Sequence, residues 1–335
     1  MHLNTLWFIA VAVLFAGYFM LEGFDFGVGM LLPFLGGVTK EEKAARRSAA
    51  IRAIGPVRDG NGVWLNTAGC ALFAAFPEWY ATMFSGFYLP LLLILVSLIL
   101  RGVGLEWRGK VDTQIWRDRC DIGIAIGCWV PALLWGIAFA IIARGVPIDG
   151  NRQIDSGIGV PFSLLNPVGL LGGLAFVAVF MLHGAMFLGL KTTAPLRSHV
   201  HSFALKFVAI TAIILAAGFG LWVQINIGKP WTWVLVALIA AGLIGGVLAM
   251  FAGRDGGAFA ATCFAVLGVV ALLFGSLFPQ LMPTSLTDGT SLTIHNASST
   301  PYTLKVMTWA AAFFLPLVIA YQAWTYWGFR KRVSA

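Results

Sequence analysis

Charged side chains are scarce in this chain of 335 residues. Only 11% of its residues are Asp, Glu, Lys or Arg, whereas 59% are hydrophobic. A soluble domain carries roughly 25% charged residues. No water-soluble fold of this length could bury so much apolar surface, so the sequence predicts an all-α integral membrane protein.

Signatures of several enzyme classes are also missing. The sequence has no Walker A motif, no glycine-rich dinucleotide motif in a βαβ context and no zinc-ligand spacing. ATP-driven transport and hydrolysis therefore have no support. The four cysteines form no C-x-x-C pair, and we interpret them as packing residues. The net charge of +8 is explained by loop positions, as shown below, so we expect no nucleic-acid partner.

Long apolar runs, by contrast, fill the chain, and each is about as long as a bilayer is thick. We predict nine transmembrane helices at about 6–34, 57–76, 81–101, 119–143, 163–190, 200–224, 232–252, 258–279 and 303–327. Segment 39–54 is too basic to cross the membrane. Thr39 followed by Glu42 is a capping-box spacing, so we predict a cytoplasmic interfacial helix there, with a partner-docking face as the alternative.

The distribution of Lys and Arg indicates the topology. Nine helices place alternate loops on one side: 35–58, 101–119, 191–206, 253–257 and the tail after 328. These loops hold 18 of the 22 Lys and Arg residues. Cytoplasmic loops carry the excess of positive charge. We therefore expect the N-terminus outside and the C-terminus in the cytoplasm.

Two acids interrupt the first apolar run. Glu22 and Asp25 are three residues apart and therefore share a helix face. A charge inside a bilayer costs about 3 kcal/mol or more, and two neighbouring carboxylates repel each other. Such a pair suits proton or cation handling, and a structural hydrogen bond to a neighbouring helix is the alternative.

Further polar residues lie near the cytoplasmic ends of the runs. Asp59 and Asn61 stand in a Gly- and Pro-rich entrance to the second run, which favours irregular backbone at a cavity, although Asp59 could equally cap a helix. Glu106 and Lys110 belong to a mixed-charge loop that would ordinarily be a solvated rim. His183 is the one clearly buried histidine, and the chain offers it no obvious second axial haem ligand at the same depth.

Several motifs together resemble subunit II of the cytochrome bd-type quinol oxidases, particularly the actinobacterial members. The motifs are the E-G-F-D-F-G-V-G run at 22–29, the D-G-N…V-W entrance at 59–64, the F-S-G-F-Y run at 84–88 and the S-L-T-I-H-N-A-S-S run at 291–299. The resemblance covers essentially the whole chain. It implies two four-helix bundles plus one additional helix.

The resemblance also implies a function in the bacterial plasma membrane. The complex would oxidise quinol and reduce O2 to water. Two b haems and one haem d would lie on subunit I, the main partner, with small accessory subunits, lipid and a bound quinone as further candidates. Subunit II has no complete active site of its own. It would support subunit I and line a cytoplasmic proton path, and it could line an oxygen path.

The resemblance transfers roles to particular residues. It places Asp59, Glu106, Lys110 and Asp25 on the proton path and Trp64 beside the oxygen route. We add Glu22 to the proton path because it shares a helix face with Asp25. The sequence departs from the family at two positions, where Arg58 replaces the usual Trp and Gly62 replaces Glu or Gln. A cation beside Asp59 should lower the pKa of that carboxyl. An alternative is therefore a fixed ion pair at Asp59, with protons passing through waters or Glu106.

Two other functions are compatible with a polytopic membrane protein. The intramembrane acids and the broken helix entrance would suit a proton-coupled secondary transporter, although the two halves contain no paired broken segments. A purely structural anchor for a partner is the third hypothesis.

Overall fold

A computed structural model describes residues 2–154 and 166–334, and most of them are helical. The helices are α1 (Leu3–Leu31), α2 (Lys40–Ile54), α3 (Arg58–Ala75), α4 (Pro77–Gly86), α5 (Tyr88–Trp107), α6 (Gln114–Arg144), α7 (Pro167–Lys191), α8 (Leu196–Phe203), α9 (Ala209–Asn226), α10 (Trp233–Phe251), α11 (Asp255–Leu277) and α12 (Pro301–Gly328). A π-helical turn, Ala204–Val208, joins α8 to α9. Two short antiparallel strands, β1 (Gln280–Met282) and β2 (Leu292–Thr293), precede α12.

Eight helical segments within the described residues are long and apolar enough to cross a membrane. They contain α1, α5, α6, α7, α8 with α9, α10, α11 and α12. The sequence predicts nine spans, and the one that these eight segments leave out is α3. Its first turns carry Arg58, Asp59 and Asn61, which lower the mean hydropathy of the helix. Its 18 residues would extend about 27 Å at 1.5 Å per residue, close to the apolar thickness of a bilayer. A crossing by α3 therefore stays a prediction.

The third predicted span, 81–101, is not one helix in the structure. The chain breaks at Phe87, between α4 and α5. Pro90 stands in the first turn of α5, where its missing N–H costs no helical hydrogen bond. The apolar helix consequently extends to Trp107, and Arg101, assigned to a cytoplasmic loop by the charge count, is buried inside it.

Helix α2 begins one residue after the predicted start of 39. The Glu42 amide donates to the Thr39 hydroxyl over 3.2 Å, and the Val38 amide donates to the Glu42 carboxylate over 2.8 Å. The hydrogen bond from Val38 lowers the pKa of Glu42. Ala49, Ala50, Ala53 and Ile54 are buried, so one face of α2 packs against the membrane helices.

Helices α1, α6 and α7 form the centre of the packing: α6 packs against α5 and α7, and α1 packs against α3, α6, α7 and α11. Helix α7 also packs against α9 and α11, and α10 packs against α9 and α11. The crossing of α1 and α7 is very close. A Cβ on Gly27 would overlap the backbone at Phe180 and Gly184, so only glycine fits there.

Helix α12 lies at the edge of these packed helices. It contacts α1 and α3, and of its 28 residues only Leu304 is buried. The tail that follows it binds elsewhere: the Val333 amide donates to the Lys191 carbonyl over 2.7 Å, and Arg332 pairs with Asp255 over 2.8 Å. Helix α12 is therefore attached mainly along one edge and at its ends.

Candidate functional site

The two acids of α1 are buried among three other helices. Glu22 is 2% exposed and Asp25 is 0% exposed. Asp25 Oδ2 accepts a hydrogen bond from Asn61 Nδ2 of α3 over 2.8 Å. Glu22 Oε1 pairs with Arg101 Nη1 of α5 over 2.5 Å. Asp25 lies six residues before the end of α1, about 9 Å along the helix, and Glu22 lies one turn deeper.

Arg101 is the main residue of this site that the sequence reasoning missed. Its guanidinium group lies 5.1 Å from the centroid of the Phe26 ring, in a cation–π arrangement, while it pairs with Glu22. A buried cation close to a buried acid offsets much of the cost of placing each in an apolar interior. One feature of the sequence could have indicated Arg101. A buried acid such as Glu22 needs a cation beside it, and Arg101 stands at the end of an apolar run.

Helix α12 completes the polar contacts of α3. The Tyr326 hydroxyl donates to Asn61 Oδ1 over 2.6 Å. Trp64 Nε1 donates to Gln322 Oε1 over 2.7 Å, and Gln322 Nε2 donates to the Gly60 carbonyl over 3.0 Å. Asn61 thus donates to Asp25 while it accepts from Tyr326, and its side-chain orientation is fixed from both sides.

A second polar group lies on the surface where α3 begins. Arg58 pairs with Glu106 of α5, and its Nε lies 3.5 Å from Asp59 Oδ1. The side chain of Asp59 is 88% exposed and that of Glu106 is 62% exposed, whereas that of Arg58 is only 11% exposed. Arg58 therefore lies between the two acids. This arrangement is compatible with the alternative in which Asp59 forms a fixed ion pair. Lys110 is exposed and forms no ion pair within the described parts of the chain.

The exposed and buried groups are consecutive along α3. Asp59 belongs to the surface group, and Asn61, two residues later, contacts Asp25. Of the predicted proton-path residues, the structure joins Glu106 to Asp59 through Arg58, and it groups Glu22 with Asp25. Trp64, the predicted oxygen-path residue, is half-buried one turn deeper, and its indole occupies the space that a side chain on Gly17 would need.

His183 has both ring nitrogens engaged. Its Nδ1 lies 2.8 Å from the Thr262 hydroxyl and its Nε2 lies 3.0 Å from the Met20 carbonyl. Because a carbonyl can only accept, the ring must donate from Nε2. The ring also stacks on Phe259, with 4.9 Å between the ring centroids. His183 therefore joins α7 to α1 and α11.

Two further buried acids form ion pairs near helix ends. Asp121 pairs with Arg108 over 2.6 Å and lies 3.4 Å from Arg47, which ties α6 to α2. Asp255 contacts Arg197 over 2.9 Å, as well as Arg332 of the tail. In contrast to Glu22 and Asp25, each of these acids has more than one cation beside it, so we interpret them as links between helices.

Comparison with known proteins identifies the family. The family model for cytochrome bd terminal oxidase subunit II matches residues 3–329. Cytochrome bd ubiquinol oxidase subunit 2 of Bacillus subtilis is 40% identical over 337 residues, covering 99% of this chain and 97% of the relative. Cytochrome bd-I ubiquinol oxidase subunit 2 of Escherichia coli is 35% identical over 367 residues, covering 99% and 95%.

A solved structure has a similar fold. One chain of the bd oxidase from Geobacillus thermodenitrificans superposes with a TM-score of 0.71 at 15% identity, covering 97% of this chain and 98% of that one. This likeness concerns the fold alone, whereas the sequence matches extend over almost the full length. The chain is a multi-pass bacterial membrane protein, and it belongs to the cytochrome bd terminal oxidase subunit II family.

Proposed function

We propose that this chain acts as subunit II of a quinol oxidase in the bacterial plasma membrane, bound to a haem-bearing subunit I. The complex would pass electrons from quinol to O2 and form water. Support comes from the full-length match and from relatives named as ubiquinol oxidase subunits. Family membership favours this function over a proton-coupled transporter.

The haems belong on the partner in this proposal. Among the described residues no group of three or more His, Cys, Asp and Glu side chains could hold a metal ion. His183 has hydrogen-bond partners at both nitrogens, so neither is free to ligate iron. This proposal therefore assigns no residue of this chain to haem iron.

Subunit I would cover the face formed by α12 with α3 and α5. Helix α12 presents large apolar side chains, among them Trp309, Phe313 and Leu317, each more than half exposed. Beside it, α3, α4 and α5 border an apolar groove of about 890 Å³. Lipid could cover such surfaces too. A protein partner is favoured because the exposed α12 is anchored to α3 by polar contacts of Gln322 and Tyr326.

The chain would line a proton path from the cytoplasm. Protons would enter at Asp59 and Glu106, near Lys110, and reach Asp25 and Glu22 past Asn61. The observation that carries this proposal is the direct hydrogen bond between Asn61 and buried Asp25, two residues along α3 from exposed Asp59. The positive-inside distribution supports a cytoplasmic entrance, with the N-terminus outside. An oxygen route past Trp64 is proposed from the resemblance.

Turnover of the purified two-subunit complex tests the proton path. Glu106→Gln, Asp59→Asn and Asp25→Asn should each slow quinol-driven O2 consumption while the haem spectrum stays normal. Glu78→Gln is the matched control, because Glu78 is also a half-exposed acid near a single Arg, 3.9 Å from Arg152, at the other end of α3. Loss of haem in the path variants, or wild-type turnover in all three, would contradict the proposal.

A further inference from the structure

The buried site on α1 contains more acid than base. Glu22 and Asp25 contribute two carboxyl groups, and Arg101 is the one cation that contacts them among residues 2–154 and 166–334. The other titratable groups facing the pair are Tyr18, Cys128 and Tyr326. Phenols and thiols are ordinarily neutral at physiological pH. Two ionised carboxylates would therefore leave one uncompensated negative charge inside the membrane.

Each carboxyl group uses only one of its two oxygens. Glu22 Oε1 contacts Arg101, and Asp25 Oδ2 accepts from Asn61. The remaining oxygens, Glu22 Oε2 and Asp25 Oδ1, are buried and receive no hydrogen bond from any donor in the described parts of the chain. Buried polar atoms in native proteins nearly always have a partner. Two acceptors without a donor, three residues apart on one helix face, call for a hydrogen between them.

The two carboxyl groups are close enough to share that hydrogen. They are one helical turn apart on the same face of α1, and each has a buried oxygen that no donor in the described parts of the chain reaches. We propose that Glu22 and Asp25 hold a single proton between Oε2 of Glu22 and Oδ1 of Asp25, so that the pair carries one negative charge, which Arg101 balances.

Charge balance excludes the two other protonation states. With no proton, the site would have a net negative charge, and an uncompensated charge in a bilayer costs about 3 kcal/mol or more. With two protons, Arg101 would be the uncompensated charge. A single proton leaves the site neutral and gives every carboxyl oxygen a hydrogen-bond partner.

Asn61 and Arg101 act as positioning residues in this arrangement. Asn61 donates to Asp25 Oδ2, and its own orientation is fixed by the Tyr326 hydroxyl. Arg101 occupies Glu22 Oε1. The shared proton is thereby restricted to Glu22 Oε2 and Asp25 Oδ1, the two oxygens that these residues leave without a donor. As a step on a proton path, which rests on the function proposed above, the pair can exchange this proton but cannot retain a second one while Arg101 stays charged.

Infrared spectroscopy of the intact complex tests the proposal. A protonated carboxyl group has a C=O stretching band that shifts in D2O and that a carboxylate lacks. Asp25→Asn should remove one carboxylic-acid equivalent per complex, and Glu22→Gln should remove the same single equivalent, because in each variant the remaining carboxyl ionises opposite Arg101. Asp255→Asn is the control and should remove none, since Asp255 contacts Arg197 and Arg332.

Several results would overturn the shared proton. A band lost in only one of the two variants would assign the proton to one residue, and an unchanged band in both would mean that both acids are ionised. If the neutral variants fail to assemble, Glu22→Asp and Asp25→Glu keep both carboxyl groups and the charge balance. Each variant should then shift the frequency of the C=O band. A shift in one variant alone would refute the shared proton.

Turnover separates this proposal from the proton path. Loss of the band in both neutral variants with wild-type O2 consumption would keep the shared proton and refute its place on the path. Slowed turnover with an unchanged band would refute the shared proton and keep the two acids on the proton path.

Discussion

Replacing Arg101 by methionine should destabilise the protein more than replacing any surface arginine. Arg101→Met keeps an unbranched side chain that can still contact Phe26, but it removes the cation that pairs with Glu22. The acidic pair would then have an unbalanced negative charge between α1, α3 and α5. We therefore expect fewer assembled complexes and a lower free energy of unfolding.

The magnitude follows from the burial of both partners. The side chain of Arg101 is 7% exposed and that of Glu22 is 3% exposed. Removing one member of a buried ion pair costs about 3–5 kcal/mol, because the other charge is left uncompensated. The second substitution, Glu22→Gln, should restore most of that loss, since the remaining Asp25 can keep the proton and be neutral. Arg58→Met is the control, because its partners are exposed and such pairs contribute about 0–1 kcal/mol.

Stability can be measured on the purified complex in two ways. Size-exclusion chromatography after brief heating reports the fraction that stays assembled. Titration from a mild detergent into SDS gives the free energy of unfolding when the transition is reversible. The reasoning fails if Arg101→Met is as stable as Arg58→Met, or if adding Glu22→Gln makes the Arg101 variant less stable instead of more stable.

Two further predictions concern contacts between helices. Tyr326→Phe removes the hydroxyl that fixes the amide beside Asp25, so the complex should lose about 1 kcal/mol, and its turnover should fall less than in Asp25→Asn, as measured by O2 consumption with the haem spectrum as control. Gly184→Val places side-chain atoms in the backbone of α1 and should abolish assembly, measured as yield of complex, whereas Gly245→Ala, at a position with no neighbour within 4 Å, should assemble normally.

Much of the fold could be predicted from the sequence, because hydropathy alone determines where long apolar helices lie. The basic segment at 39–54 folds as α2 (Lys40–Ile54), since its cap and its charges are both local signals. The third predicted span was wrong in its bounds. An apolar run shows where burial is favourable, but it does not show that Phe87 ends one helix and that α5 then continues past Arg101 to Trp107.

The candidate site was predictable only in part. Glu22 and Asp25 are conspicuous because acids are rare in apolar runs, and their shared helix face follows from their spacing. Tyr326 could not be foreseen, because it lies 265 residues from Asn61 and belongs to no motif. Arg101 was assigned to a loop because a cation at the end of an apolar run usually lies there. Arg101 is instead buried because it pairs with Glu22, a buried acid that lies far away in the sequence.

The pair of Glu22 and Arg101 also has a consequence for biosynthesis. The two residues are 79 positions apart, so α1 is made and enters the bilayer well before the arginine leaves the ribosome. During that interval both acids of α1 lack their counter-charge, and each enters the membrane most cheaply as a neutral acid. Insertion of α5 then supplies the cation and expels one proton. On this argument the pair becomes charged only once Arg101 has reached it, and a chain stalled before Arg101 would retain both protons.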